Sequence, residues 1–284
     1  MSWLLLCLSL AHAQASDLQA RIQKLIDSTG AEVGVYVDTL DGAKPIAIGA
    51  DTSFHAASTM KVPVMIELFR QADAGLLKLD EPLPIKNEFH SIVDGSVYQM
   101  DVSDDSDSEV YKAVGKTMTL RQLCEAMITV SSNFAANLLI ERVGAKNVQA
   151  TVDRLGGTGV RVLRGVEDQK AFDKGLNNVT TAKGLAALFA KLAAGKAVNA
   201  KSDAEMVAIL KRQTFNDAIP AGLPAGTAVA HKTGTITKIH HDAGIVFGPR
   251  PYVLVVLVRG IQDQKVSGPL IASISREVWD ELGK

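Results

Sequence analysis

Three short groups of polar residues carry the chemical interest of this chain. Ser58-Thr59-Met60-Lys61 places a hydroxyl and an amine at i and i+3, and on a helix these face the same way. A lysine within reach of a serine accepts its proton when burial or neighbouring positive charge lowers the amine's pKa. A helix N-terminus at Ser58 also favours negative charge developing there. Ser131-Ser132-Asn133 falls between two helical stretches, where a short loop can aim side chains into a cleft. Ser131 can relay a proton to a leaving nitrogen, and Asn133 can hydrogen-bond a substrate amide. Lys232-Thr233-Gly234-Thr235 falls in a strand-like run. There a lysine and a threonine can bind a carboxylate, and Gly234 lets substrate backbone approach closely. Singly, each group has a plain structural reading. Ser and Asn are ordinary helix caps, and S-x-x-K is common by chance. Their order and the element each falls on make the set specific.

The elements that must hold these groups are legible from periodicity. Glu32–Asp38, the turn Asp41-Gly42 and Ile46–Ile48 read as a hairpin. A helix starts near Ser58 and runs through Met65, Leu68 and Phe69, with Pro63 in its first turn. Thr119-Leu120-Arg121-Gln122 is a capping-box start for a helix ending near Val130. Further helices are expected over Asn133–Val143, Val148–Leu155 and Thr181–Ala194, with Gly144, Gly156 and Gly195 as their stops. Another is capped by Ser202-Asp203-Ala204-Glu205 and ends about Arg212, and a last one spans Pro269–Leu282. Strand-like runs return at Ala228–Thr235, His241–Phe247 and Tyr252–Val258. The fold class is therefore α/β: an antiparallel sheet built from both termini and flanked by helices, with an inserted all-helical domain. The expected division is a leader over 1–15, a sheet domain over 16–55 and 214–284, and a helical domain over 56–213.

S-x-x-K, S-x-N and K-T-G in this order, beginning at residues 58, 131 and 232, resemble the motif set of serine β-lactamases and penicillin-binding proteins, and most closely class A β-lactamases. The resemblance spans the chain after the leader and implies the two-domain fold of that family. It implies Ser58 as the nucleophile that forms an acyl-enzyme, with the adjacent Lys61, or Glu167 acting through water, as the base of acylation. Ser131 and Asn133 match the second motif; Lys232, Thr233 and Gly234 match the third. The backbone N–H groups of Ser58 and Thr235 match the oxyanion hole, whose donors each contribute a few kcal/mol to lowering the barrier. Glu167 matches the loop carboxylate that activates the deacylating water; Asp168 fits its spacing less well. Three departures stand out. Ser132 replaces the family's usual Asp. Ala171 stands where the family's Glu-x-x-Leu-Asn loop has its Asn, so Asn177 or Asn178 would have to fold back to hold the water. Additional residues lie between Lys86 and Lys116. The implied substrates are β-lactams or D-Ala-D-Ala peptides, and a D-alanyl-D-alanine carboxypeptidase or a permanently acylated sensor are the rival readings. No cofactor is implied. Arg250 and Arg259 are both candidates to support the substrate carboxylate.

Composition agrees with an ordinary globular protein: 284 residues, 47% hydrophobic, 21% charged, formal net charge −1. No basic patch invites nucleic acid. Leu4–Leu10 is a short apolar core followed by Ala11-His12-Ala13 and Ala13-Gln14-Ala15, the pattern of a secretory signal peptide lacking a basic start. Cleavage near Ala13 or Ala15 would leave a periplasmic or secreted protein, expected to be a monomer with no membrane anchor. No other apolar run nears the ~20 residues of a span. Cys7 leaves with the leader, so Cys124 stands alone as a buried apolar residue. His231, His240 and His241 suggest zinc, but adjacent histidines on a strand point to opposite faces, so no metal site is expected. The acidic stretch Asp101 to Glu109 lacks the Gly and Glu spacing of a calcium loop and reads as a solvated loop.

Overall fold

The computed structural model describes residues 17–43 and 45–283, so the expected leader lies outside the described residues. Helix α1 spans 17–27. It is followed by strands β1 (Glu32–Asp38), β2 (Ile46–Ile48) and β3 (Phe54–His55). A 3₁₀ turn, Ala57–Met60, runs into helix α2 (Lys61–Asp73). Short strands β4 (Pro82–Pro84), β5 (Phe89–His90), β6 (Val97–Tyr98) and β7 (Thr117–Thr119) come next. Helices α3 (Leu120–Thr129), α4 (Asn133–Val143), α5 (Ala145–Leu155) and α6 (Gln169–Asp173) follow. The chain closes with β8 (Val179–Thr180), α7 (Ala182–Ala193), α8 (Ala200–Leu210), β9 (Ala228–Ile236), β10 (Ile239–Phe247), β11 (Tyr252–Arg259) and α9 (Gln264–Leu282).

One five-stranded antiparallel sheet, in the order β2-β1-β11-β10-β9, joins the two ends of the chain. β11 lies between β1 and β10 and is apolar on both faces, which is why it reads as an unbroken hydrophobic run. Val253, Val255 and Leu257 pack into a core shared with α2, α4 and α7. Tyr252, Leu254, Val256 and Val258 alternate onto the other face, against Leu18 and Ile22 of α1 and Ile271, Ile274 and Val278 of α9. The result is a sheet sandwiched between two helical layers. β9 is an edge strand, so one row of its backbone groups stays unpaired.

Local chemistry explains most element ends. Thr119 and Gln122 form the expected capping box. Ser132 accepts a hydrogen bond from Ala135 N–H at 3.2 Å and caps α4. Three helix starts differ from expectation. α5 begins at Ala145, three residues early, directly after Gly144. The cap of α8 is Asn199, which accepts from Ser202 N–H, while Asp203 is buried and accepts from Ala197 and Val198 N–H. α9 begins at Gln264 behind the cap Asp263, with Pro269 inside its second turn. The apolar pattern alone located the first packed residues of these helices rather than their caps. Cys124 is buried, and burial pushes its thiol up to about 12. Among the described residues no helix is long and apolar enough to cross a membrane.

A buried carboxylate fixes the helix that carries Lys61. Glu67 accepts hydrogen bonds from Arg70 Nε and Nη2 (2.7 and 2.8 Å), Gln71 Nε2 (2.7 Å) and Thr151 Oγ1 of α5 (2.7 Å). Gln71 Nε2 also donates to Val143 O at the end of α4. Burial alone would push the Glu67 carboxyl up; the donors on Arg70, Gln71 and Thr151 outweigh it and hold it below its usual value. Such a depressed acid stabilises the fold above its unfolded pKa, and that stability is lost as pH falls through the folded value. Glu67→Gln should cost about 2 kcal/mol at neutral pH, and the difference should shrink below about pH 4. Urea unfolding of both proteins at several pH values measures this; a loss independent of pH would rule out the charged network.

Candidate active site

The three motifs converge on one cleft, walled by the Ser58 turn, the α3–α4 turn and β9. Lys61 Nζ, fully buried, donates to Ser58 Oγ (3.0 Å), Ser131 O (2.7 Å), Ser131 Oγ (3.2 Å) and Asn133 Oδ1 (2.7 Å). Lys232 Nζ, also fully buried, donates to the same Ser131 Oγ at 2.9 Å and to Thr233 O at 2.9 Å. Two amines thus share one hydroxyl. Burial lowers the Lys61 amine to about 7, against the opposing pull of Asp105 and Glu167. Burial, reinforced by Lys61, lowers Lys232 as well.

The third motif's glycine has a different reason from the one expected. A Cβ on Gly234 would lie 3.1 Å from the backbone nitrogens of both Ser58 and Thr59 and 3.1 Å from Thr59 Cγ2. Gly234 therefore admits the nucleophile's own backbone against the edge of β9, rather than the substrate's. Thr233 and Thr235 line the cavity beside Ser58 and Ser131, which holds about 270 Å³. A second cavity of about 370 Å³ meets it at Ser58, Asn133 and Thr235 and continues past Glu167 to Phe172 and Ile236.

Glu167 reaches the cleft from the loop before α6. Asn133 Nδ2 donates to its Oε1 at 3.3 Å. Burial raises its carboxyl, as does Asp104 nearby, while Lys61 opposes. Asp168 is occupied elsewhere: its oxygens accept from Ser91 Oγ, Ile92 N–H and Ala171 N–H. Neither Asn177 nor Asn178 folds back to the water position. Asn178 accepts from the N–H groups of Leu163 and Arg164 and donates to Arg164 O, while Asn177 accepts from Arg164 Nη2. Both bolt the base of the loop. Asn137 fixes its middle, accepting from Val166 N–H and donating to Val166 O.

Three of the five non-glycine residues with positive φ among the described residues sit at the cleft; the other two, Leu40 and Lys238, lie in the turns after β1 and β9. Ala57, Ser131 and Glu167 all have positive φ (45°, 58° and 60°), a region L-residues seldom occupy. Each is at or next to a residue that faces the cleft.

Other expectations are corrected. Arg250 pairs with Asp41 and Arg259 with Glu32, and neither lines the cavity beside Ser58, where Lys232 is hydrogen-bonded to Ser131. The acidic stretch is more than a solvated loop. Asp105 accepts from the N–H groups of Asn133 and Phe134 at the start of α4, where the helix dipole favours an anion. Ser106 Oγ donates to Val130 O, and Asp107 is buried. With Ser132 spent as a cap, Asp105 supplies the carboxylate at this turn. Its signal was an acid available to a helix start, but it lies far away in sequence. The histidines diverge as strand geometry requires. His231 Nδ1 hydrogen-bonds Asp242 Oδ1, His240 Nδ1 hydrogen-bonds Ser267 Oγ, and His241 Nε2 donates to His55 O. The described residues contain no group able to hold a metal ion.

Comparison with known proteins gives the same reading. The model of the beta-lactamase enzyme family matches residues 17–282. The carbapenem-hydrolyzing beta-lactamase KPC of Klebsiella oxytoca is 31% identical, covering 100% of this chain and 94% of that one. Beta-lactamase AST-1 of Nocardia asteroides is 30% identical over 93% of this chain and 83% of its own. Among solved structures, PBP-A superposes with a TM-score of 0.80 at 28% identity, covering 93% of this chain and 95% of that one. An ancestral class A beta-lactamase matches with a TM-score of 0.80, also at 28% identity, over 93% and 99% of the two chains. The shared cleft, its motifs and these matches place the chain in the beta-lactamase enzyme family, as a class A-like serine hydrolase.

Proposed function

We propose that the protein hydrolyses β-lactams through an ester on Ser58, which water activated by Glu167 then releases. The observation that carries this is an unbroken polar chain: Glu167 to Asn133 (3.3 Å), Asn133 to Lys61 (2.7 Å), Lys61 to Ser58 (3.0 Å). In the proposed course, Lys61 Nζ takes the Ser58 proton as Oγ attacks the lactam carbonyl. Ser131, held between Lys61 and Lys232, passes a proton to the leaving nitrogen as the C–N bond breaks. The ring's carboxylate rests against Lys232, Thr233 and Thr235. Glu167 then removes a proton from the water that attacks the ester, and Ser58 Oγ leaves with a proton. KPC is by name a carbapenem-hydrolyzing enzyme, and a mutant of PBP-A has been captured as an acyl-enzyme with penicillin G. Both support acylation at the matching serine.

A second reading is a D-alanyl-D-alanine carboxypeptidase that acylates readily and turns lactams over slowly. It draws on the sparse support of Glu167, whose carboxylate accepts from Asn133 alone among the described residues. A chromogenic cephalosporin separates the two. Sustained hydrolysis supports the lactamase, and a stoichiometric burst that stalls supports the carboxypeptidase. Ser58→Ala should abolish both, and residual turnover in that variant would remove Ser58 as nucleophile. Glu167→Gln should keep acylation and accumulate an acyl-enzyme seen as a mass increase. Steady-state turnover at the original rate in that variant would remove Glu167 from the reaction.

With Lys61 lowered to about 7, its unprotonated form is the base. The acylation rate should therefore fall about tenfold per unit as pH drops below that value. Lys61→Ala should lose about 10²- to 10⁴-fold. Stopped-flow acylation across pH 5 to 9 tests this; a flat profile would exclude Lys61 as the base.

A further inference from the structure

The cavity that holds Ser58 continues past Thr233 and Thr235 to Phe215, Asp217 and His240, none of which serves the steps above. In the sheet register His240 stands directly across from Thr235, so its imidazole extends the carboxylate-binding face. The ring is only 3% exposed and lines the cavity wall. Ser267 Oγ engages Nδ1 at 2.9 Å, and Nε2 has no partner among the described residues. Burial lowers the imidazole's pKa, against Asp217 and Asp242, so the ring is uncharged at neutral pH. Asp217 is exposed, and its carboxylate forms no ion pair or hydrogen bond with any described residue. The two groups flank one point: a Cβ on Gly268 would lie 3.6 Å from Asp217 Oδ2 and 3.6 Å from His240 Cε1. Phe215 is 38% exposed on the same cavity, and no lysine or arginine lines its wall beside Phe215, Asp217 and His240.

We propose that this end of the cavity is a subsite for an organic ammonium group carried on the leaving half of the substrate, a reading that rests on Ser58 acylation as described above. The substrate carboxylate, seated against Lys232, Thr233 and Thr235, directs the leaving half into this cavity. A substituent beside that carboxylate then extends toward Asp217. Asp217 supplies the countercharge and the Phe215 ring a face for the cation. His240 Nε2 accepts one ammonium N–H while Nδ1–H donates to Ser267 Oγ. An anionic substituent meets Asp217 and the exposed Asp104, which lines the same cavity, and is disfavoured.

A matched pair of cephalosporins isolates this interaction. Both carry one acyl side chain and the ring carboxylate; one has a primary ammonium on the 3-methylene, and the other has that amine acetylated. The wild-type protein should show a kcat/KM about tenfold higher for the ammonium compound. The preference should weaken with added salt. Asp217→Asn should bring the ratio to about one, and Phe215→Leu should reduce it in part. A wild-type ratio of one, with both compounds hydrolysed, would overturn the subsite and leave the Ser58 reaction intact. Failure of both compounds to acylate Ser58 would overturn the subsite and the Ser58 reaction together. The wild-type ratio and its salt dependence need no variant to fold.

Discussion

Two buried amines around one hydroxyl govern this structure. Lys61 and Lys232 are both fully removed from solvent and both donate to Ser131 Oγ. Desolvation and mutual repulsion penalise holding both charges in so small a volume. Burial lowers Lys61 to about 7 against the pull of Asp105 and Glu167, and it lowers Lys232 as well, with Lys61 adding to the effect. Lys232 stands on the other side of Ser131 Oγ, against Thr233 O. The burial of two amines against one hydroxyl is thus the constraint that the neighbouring elements must maintain.

The rest of the fold supplies the constraints that keep this arrangement from relaxing. α2 carries Lys61 and is locked to α4 and α5 through Glu67 and Gln71. β9 carries Lys232 along the free edge of the sheet, and its approach to the Ser58 turn is close enough that a Cβ at 234 would have to displace that turn by a few tenths of an ångström. The α3–α4 turn presents Ser131 in a left-handed conformation, while Asp105 and Ser132 hold the start of α4 from two sides. Glu167 differs: it comes from a loop pinned by Asn137, Arg164 and Asn178, and among the described residues its hydrogen bond to the network is the one from Asn133.

Much of this was legible in the sequence because it is local. The i, i+3 pair Ser58 and Lys61 needs only a helical turn, and the Thr119–Gln122 box needs only four residues. The alternating faces of β1 and the two-sided burial of β11 follow from which residues are apolar. What escaped depends on contacts distant in sequence. Asp105 caps a helix 28 residues away, a pairing that no spacing rule announces. Asn177 and Asn178 looked available because their partners, Leu163 and Arg164, are revealed only when the loop closes on itself. Arg250 and Arg259 looked useful as cations, yet each found a nearer acid in Asp41 and Glu32. The role of Gly234 was misread for the same reason: the strand's neighbour at that position is the Ser58 turn, folded in from the other end of the chain.

The most direct test of this account is a titration of the Lys61 amine itself, followed by NMR of lysine-labelled protein with Lys61→Arg to assign the signal. The account predicts a midpoint near 7, well below the ordinary lysine value of about 10.4. An amine that stays protonated to its ordinary pH would contradict it, because Ser58 would then have no base at Lys61.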